Sequence, residues 1–114
     1  MSECLFCNMV SGLIKPEVVM DNEYILAFRD VNPQAPTHIL VIPKKHIATL
    51  NDINNEDAKL LGQMYLAASE LAVQCGIAES GYRTLINCGS DGGQTVFHLH
   101  LHLMGGRDMQ WPPG

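Results

Sequence analysis

The spacing of hydrophobic and polar positions changes along the chain, and each change marks an element. Residues 4–11, "CLFCNMVS", read as a short helix that ends at Gly12. "EVVMD" and "EYILAFRD", parted at Asn22, read as a strand hairpin around residues 17–30. "VNPQAPT" is a turn-rich loop with two prolines, and "HILVIP" (38–43) is a strand that Pro43 closes. "NNEDAKLLGQMYLAASELAVQCG" is one long helix. Asn54 or Asn55 can cap it, Glu56 and Asp57 suit its first turn, and Gly76 stops it. Leu61, Met64, Ala68, Leu71 and Cys75 keep the spacing of a buried stripe. A strand over 82–88 follows, then the loop "GSDGGQT", then a strand that carries three histidines. Strands joined largely by turns, with one long helix, predict an α+β domain built on an antiparallel meander. The tail "GGRDMQWPPG" (105–114) has no regular pattern, yet it holds Trp111, the sole tryptophan.

That last strand poses the functional question. In "FHLHLHLMGG" (97–106), His98, His100 and His102 fall at alternate positions, roughly 6.6 Å apart along an extended chain. On a strand they line one face, and Leu99, Leu101 and Leu103 line the other. Burial explains the leucine face and leaves the histidine face unexplained. Three neighbouring imidazoles resist simultaneous protonation, so two chemistries stay open: a metal site, or general-base and nucleophilic work on a substrate. The preceding loop, with three glycines and Thr95, can bring backbone N–H groups close to an anion. Phosphate beside imidazole suggests phosphoryl or nucleotidyl transfer.

Composition narrows the field. The chain has 114 residues, 46% of them hydrophobic, which suits one globular domain with one core. Its apolar runs are too short to span a bilayer, and no secretory signal is visible, so a cytoplasmic address is expected. Seven basic against twelve acidic residues give a net charge of −5, and only Lys44–Lys45 forms a basic cluster. Nucleic-acid binding is therefore not expected. Four cysteines in a reducing compartment argue against disulfides. Cys75 and Cys88 read as isolated core residues, whereas Cys4 and Cys7 have C-x-x-C spacing, that of a ligand pair or redox motif.

"HLHLHLM" fits the histidine-triad pattern. With "DVNPQAPTHILVIPKKH", "NCGSDGGQTVFHLHLHLMGGR" and the terminal "WPPG", the whole chain resembles the nucleotide-binding Hint branch of the histidine-triad (HIT) superfamily. The resemblance implies a single HIT domain over 1–114, with a five-stranded antiparallel sheet, one long helix and one short one. It also implies a homodimer with a continuous sheet, in which the tail around Trp111 reaches the partner's active site. The activity implied is hydrolysis of purine nucleoside phosphoramidates and related nucleotidyl conjugates of AMP or GMP.

Matched by motif, His100 is the nucleophile, His102 contacts the α-phosphate and His38, in "APTH", supports the nucleophile. Thr95 stands near the leaving group, where the family usually has a serine or similar residue. Asn87, Gly93 and Gln94 belong to the phosphate-side loop, and Asp30 holds the ribose hydroxyls. Leu5, Phe6, Met9, Phe28, Arg29 and Val31 match base-pocket positions, though the position of Arg29 tolerates different residue types. The "CLFC" pair departs from animal-type members and resembles many bacterial relatives. In those, the two cysteines join two histidines around zinc; here the set is Cys4, Cys7, His46 and His98. Two thiolates and two imidazoles make a closed, structural site. The alternative is a reduced, metal-free thiol pair. A rival to the enzyme is a nucleotide-binding or scaffold protein with incidental hydrolysis. A zinc-dependent hydrolase is disfavoured, because a four-ligand set leaves no open position.

Overall fold

A computed structural model describes residues 2–114. In chain order the elements are α1 (Leu5–Val10), β1 (Val18–Asp21), β2 (Ile25–Arg29), β3 (Thr37–Pro43), α2 (Ala58–Gln74), β4 (Tyr82–Leu85) and β5 (Leu101–Gly105). The strands form one antiparallel sheet in the order β1-β2-β3-β5-β4. Only the first three make a meander. The chain leaves β3, passes through α2, enters the far edge as β4 and returns as β5 between β3 and β4.

Period-two alternation divides the sheet into two faces. Ile25, Ala27, Ile39, Val41, Leu101 and Leu103 face α2 and pack with its Met64, Ala68 and Leu71. Leu26, Phe28, Leu40 and Ile42 face the other way and pack with Phe6 of α1. With both faces covered, β3 reads as an unbroken apolar run rather than an alternating one.

The ends of α2 follow from local chemistry. Asn54 accepts a bond from the Glu56 N–H at 2.9 Å, and Asp57 accepts one from the Asn54 N–H at 3.1 Å. This capping box starts a 3-10 turn, Asn55–Asp57, ahead of the α-helix. Gly76 takes φ +73°, and the Ile77 N–H turns back to the Ala72 carbonyl at 3.0 Å. The helix stops there.

Four sequence expectations need adjustment. β4 ends at Leu85 rather than Cys88, because residues 86–88 turn into the glycine-rich loop. β5 starts only at Leu101: His98 and His100 lie in irregular backbone that still alternates, with Leu99 in the α2-side core. At its other end β5 includes Gly105, so the irregular tail begins at Gly106. Cys75 and Cys88 are half-buried rather than core residues. Among the described residues, no helix is long and apolar enough to cross a membrane.

Candidate active site

The three triad histidines part company in three dimensions. His98 is fully buried, His100 nearly so and His102 half-buried. His102 sits on β5 opposite Leu40, and His38 on β3 is its diagonal neighbour on the same face. Their rings meet with His38 Nε2 2.9 Å from His102 Nδ1.

Fixed donors decide where each proton sits. The Gln34 backbone N–H donates to His38 Nδ1 at 3.0 Å, so that nitrogen holds the lone pair. Neutral His38 then carries its proton on Nε2 and donates it to His102 Nδ1. Asp30 Oδ2, 3.5 Å from the same Nε2, reinforces this arrangement. His102 in turn must carry its proton on Nε2. That atom is sealed from solvent and has no hydrogen-bond partner among the described residues. A buried donor without a partner is costly, and the His102 ring that carries it lines a cavity. Burial, with the nearby His100 and His38, pushes the His102 pKa down to about 4, against an opposing pull from Asp30. Burial also lowers that of His38, again with Asp30 opposing. Both rings are therefore neutral near pH 7.

His100 is oriented by different means. Its Nδ1–H donates to the His98 carbonyl at 2.7 Å. A carbonyl only accepts, so Nε2 of neutral His100 keeps a free lone pair. The Phe6 ring packs edge-on against the imidazole, centroids 5.2 Å apart, and the His102 ring lies 5.0 Å away.

These groups border a cavity of about 220 Å³. Leu5, Phe6 and Met9 of α1 form one wall, while Phe28, Arg29, Asp30 and Val31 form another. Thr95, His100 and His102 complete the chemical end. The expected base-pocket residues are thus brought together with Asp30 and two of the histidines. Pro16, Leu40 and Val96 line the cavity as well, and the sequence reading missed them. Leu40 was legible, since it precedes Val41 in alternation and so shares a face with His38. Pro16 and Val96 lie in irregular segments that carry no periodic signal. Asp30 Oδ1 accepts the Asn32 N–H at 2.9 Å, and Arg29 pairs with Glu17 at 2.9 Å.

The glycine-rich loop is held together largely by its own side chains and backbone. Gln94 is buried, and all of its side chain serves the protein. It accepts from the Gly89 N–H at 3.0 Å and donates to the Ala48 and Val96 carbonyls at 2.8 and 3.1 Å. Asn87 Nδ2 donates to the Gly92 carbonyl at 2.6 Å, and the Gly93 N–H to the Ser90 carbonyl at 3.1 Å. None of the three lines the cavity. They shape the loop that presents Thr95. Gly92 is required there, since a Cβ would strike the Cys88 carbonyl oxygen.

A second cluster lies on the far side of His98. Cys4, Cys7, His46 and His98 bring four ligand atoms within 4.8 Å of one another. Cys4 Sγ and Cys7 Sγ lie 3.3 and 3.6 Å from His98 Nδ1; His46 Nδ1 lies 3.3 Å from Cys7 Sγ and 3.1 Å from His98 Nδ1. Such separations match the edges of a tetrahedron with metal–ligand bonds of about 2.0–2.3 Å. His98 Nε2–H donates to the Pro43 carbonyl at 2.8 Å, which leaves the Nδ1 lone pair facing the other three donors. Burial lowers the His98 pKa, with the Pro43 bond opposing. The donor set fits a metal.

The HIT domain profile matches residues 11–109. The purine nucleoside phosphoramidase of Escherichia coli is 45% identical over 94% of this chain and 90% of its own length. A crystal structure of a HIT family hydrolase from Legionella pneumophila superposes with a TM-score of 0.97 at 55% identity, covering 98% of this chain and all of that one. The histidine triad nucleotide-binding protein of Candida albicans gives a TM-score of 0.85 at 29% identity, over 96% of this chain and 83% of that one. With its triad, its sheet order and these matches, the chain belongs to the HIT family.

Proposed function

We propose that this protein hydrolyses purine nucleoside phosphoramidates and related conjugates of AMP or GMP through a nucleotidyl–His100 intermediate. The observation that carries this reading is the pair of hydrogen bonds behind the two rings, His100 Nδ1 to the His98 carbonyl and His38 Nε2 to His102 Nδ1, from which a lone pair on His100 Nε2 and a proton on His102 Nε2 follow. His100 Nε2 attacks phosphorus, a P–N(imidazole) bond forms, and the bond to the leaving amine breaks. His102 Nε2–H donates to a phosphoryl oxygen, where charge builds up. The leaving amine takes its proton from a solvent water that the Thr95 hydroxyl orients. Water then cleaves the bond to His100 and releases the nucleoside monophosphate. Asp30 receives the ribose hydroxyls, and the apolar walls hold the base. The E. coli relative's name supports the substrate class.

Cys4, Cys7, His46 and His98 would hold zinc as a structural cross-link between α1 and the β3–β5 side of the sheet, with no part in the chemistry. The protein works as a homodimer. Tyr65, Leu66 and Val73 form an exposed apolar strip on α2, and the outer edge of β4 is free to continue the sheet. Trp111, 83% exposed, then has a partner surface to cover it. A cytoplasmic address suits four free cysteines.

The test is turnover of adenosine 5′-phosphoramidate by the purified protein. AMP release should fall at least ~100-fold in His100→Ala, as for loss of a covalent catalyst, with nucleotide binding retained. Rapid quench and mass spectrometry should find an adduct on the peptide containing His100. Binding of AMP without any turnover would instead favour the nucleotide-binding or scaffold role.

A further inference from the structure

We infer that the state of the Cys4–Cys7–His46–His98 centre is transmitted to His100, with His98 and Phe6 as positioning residues. Two routes join the centre to the His100 ring. The first runs through His98, which is fully buried and engaged at three points. Its Nε2–H is held by Pro43, its Nδ1 faces the thiols and His46, and its carbonyl oxygen receives the His100 Nδ1–H. A change at Nδ1 therefore strains the same residue whose carbonyl fixes the His100 tautomer.

The second route runs through α1. Cys4 caps that helix, its Sγ accepting the Cys7 N–H at 3.3 Å. Phe6 stands between the two cysteines in sequence. Its ring meets His98, His100 and Phe28 edge-on, with centroids 5.8, 5.2 and 5.5 Å away. Holding both thiols at one point holds Phe6 against the imidazole.

The centre itself has reason to rearrange with its load. The lone pair on His98 Nδ1 lies 3.1 Å from His46 Nδ1, a spacing at which one cation would be held by both nitrogens. His46 is exposed, so a cation shared with the buried His98 would fix its ring as well as the thiols. A bound metal thus sets the direction of the His98 carbonyl and the seat of Phe6. Loss of metal loosens both.

The kinetic consequence rests on His100 as nucleophile; the spectroscopic test does not. Histidine-labelled protein loaded with one equivalent of zinc would be compared by 15N–1H NMR with the same protein after chelation. In the loaded protein His100 should show a single Nδ1–H tautomer. Chelation should shift or broaden the His100 ring signals, leave the His38–His102 pair in place, and lower kcat by ~10-fold or more with a smaller change in KM, as slight misplacement of a reacting group does. Phe6→Leu, with zinc still bound, should perturb the same His100 signals and kcat, so the idea remains testable even if the metal-free chain unfolds. Unchanged His100 signals in chelated, folded protein or in Phe6→Leu would overturn the inference, as would failure to take up zinc. Lack of any phosphoramidate turnover, with His100 still responding to zinc, would remove the proposed activity and leave the inference standing.

Discussion

Two histidine clusters lie on either side of His100 and Phe6 in this molecule, and their donor sets look alike. Asp30, His38 and His102 group their ligand atoms as tightly as Cys4, Cys7, His46 and His98 do. The difference lies in what occupies the other ring nitrogen. His98 donates Nε2–H to a carbonyl and so offers a lone pair to its cluster. His38 accepts a backbone N–H on Nδ1 and so offers a proton to its own. The first set turns lone pairs inward and so fits a cation; in the second, a proton already bridges the rings. Counting ligands does not separate them. The hydrogen bond behind each ring does.

That contrast can be broken by substitution. His38→Ala should lower kcat by about 100-fold, within the range for loss of a positioned proton partner, because His102 loses the donor that fixes its tautomer. Metal content should stay the same, and a matching loss of metal would merge the two clusters into one. Changing Cys4 and Cys7 together to serine should remove about one zinc per chain and lower the melting temperature by at least about 5 °C, since metal-binding free energy appears as folding free energy. Equal melting of chelated and untreated protein would remove the structural role of the metal.

Smaller effects sharpen the proton-bearing side. Asp30→Asn should weaken binding of AMP by about 10-fold, the scale of one or two hydrogen bonds to a charged group, and 2′-deoxy-AMP should lose less. Wild-type protein that binds both nucleotides equally would count against a ribose contact.

The last effect is on stability against pH. Folded His102 titrates near pH 4, where an unfolded histidine titrates near 6.5. Between those values the unfolded chain binds the extra proton and the folded chain does not. Stability should thus be full above pH 6.5 and decline as the solution is acidified toward pH 4. His38 acts in the same direction. His102→Gln should flatten this decline in urea titrations, and an unaltered slope would show that other groups govern it.

The sequence disclosed two faces in "HLHLHL", where histidine and leucine alternate, but not in "ILAF" or "HILVI", which are apolar throughout because both faces of the sheet are covered. The long helix was legible from its periodic stripe and its Gly76 stop, while Asn54, one of two candidate caps, caps the 3-10 turn ahead of it. Strand order was not. Nothing in local spacing says that the last strand enters between two earlier ones, so a simple meander was the natural expectation. The histidine face also hid its division of labour. His98 looks like its neighbours in sequence, but its burial and its bond to Pro43 depend on residues 55 positions away. Gln34 left no signal at all, since it acts through its backbone N–H. Asn87, Gly93 and Gln94 were found as loop residues, yet their contacts lie within the loop and with Ala48 and Val96, not along the cavity.

The order of the sheet bears on how the molecule assembles. β1, β2 and β3 can zip up as the chain emerges, but β4 has only β5 as a neighbour, and β5 comes last of the five. Leu99, Leu101 and Leu103, which fill the core beneath α2, arrive with it. Completing the core thus requires a long-range closure by residues 99–105, the kind of non-local contact that goes with slower folding. The same segment carries His100 and His102. A chain that completes its core has, by that one event, also brought His100 and His102 to the cavity, and a chain stalled before it has neither.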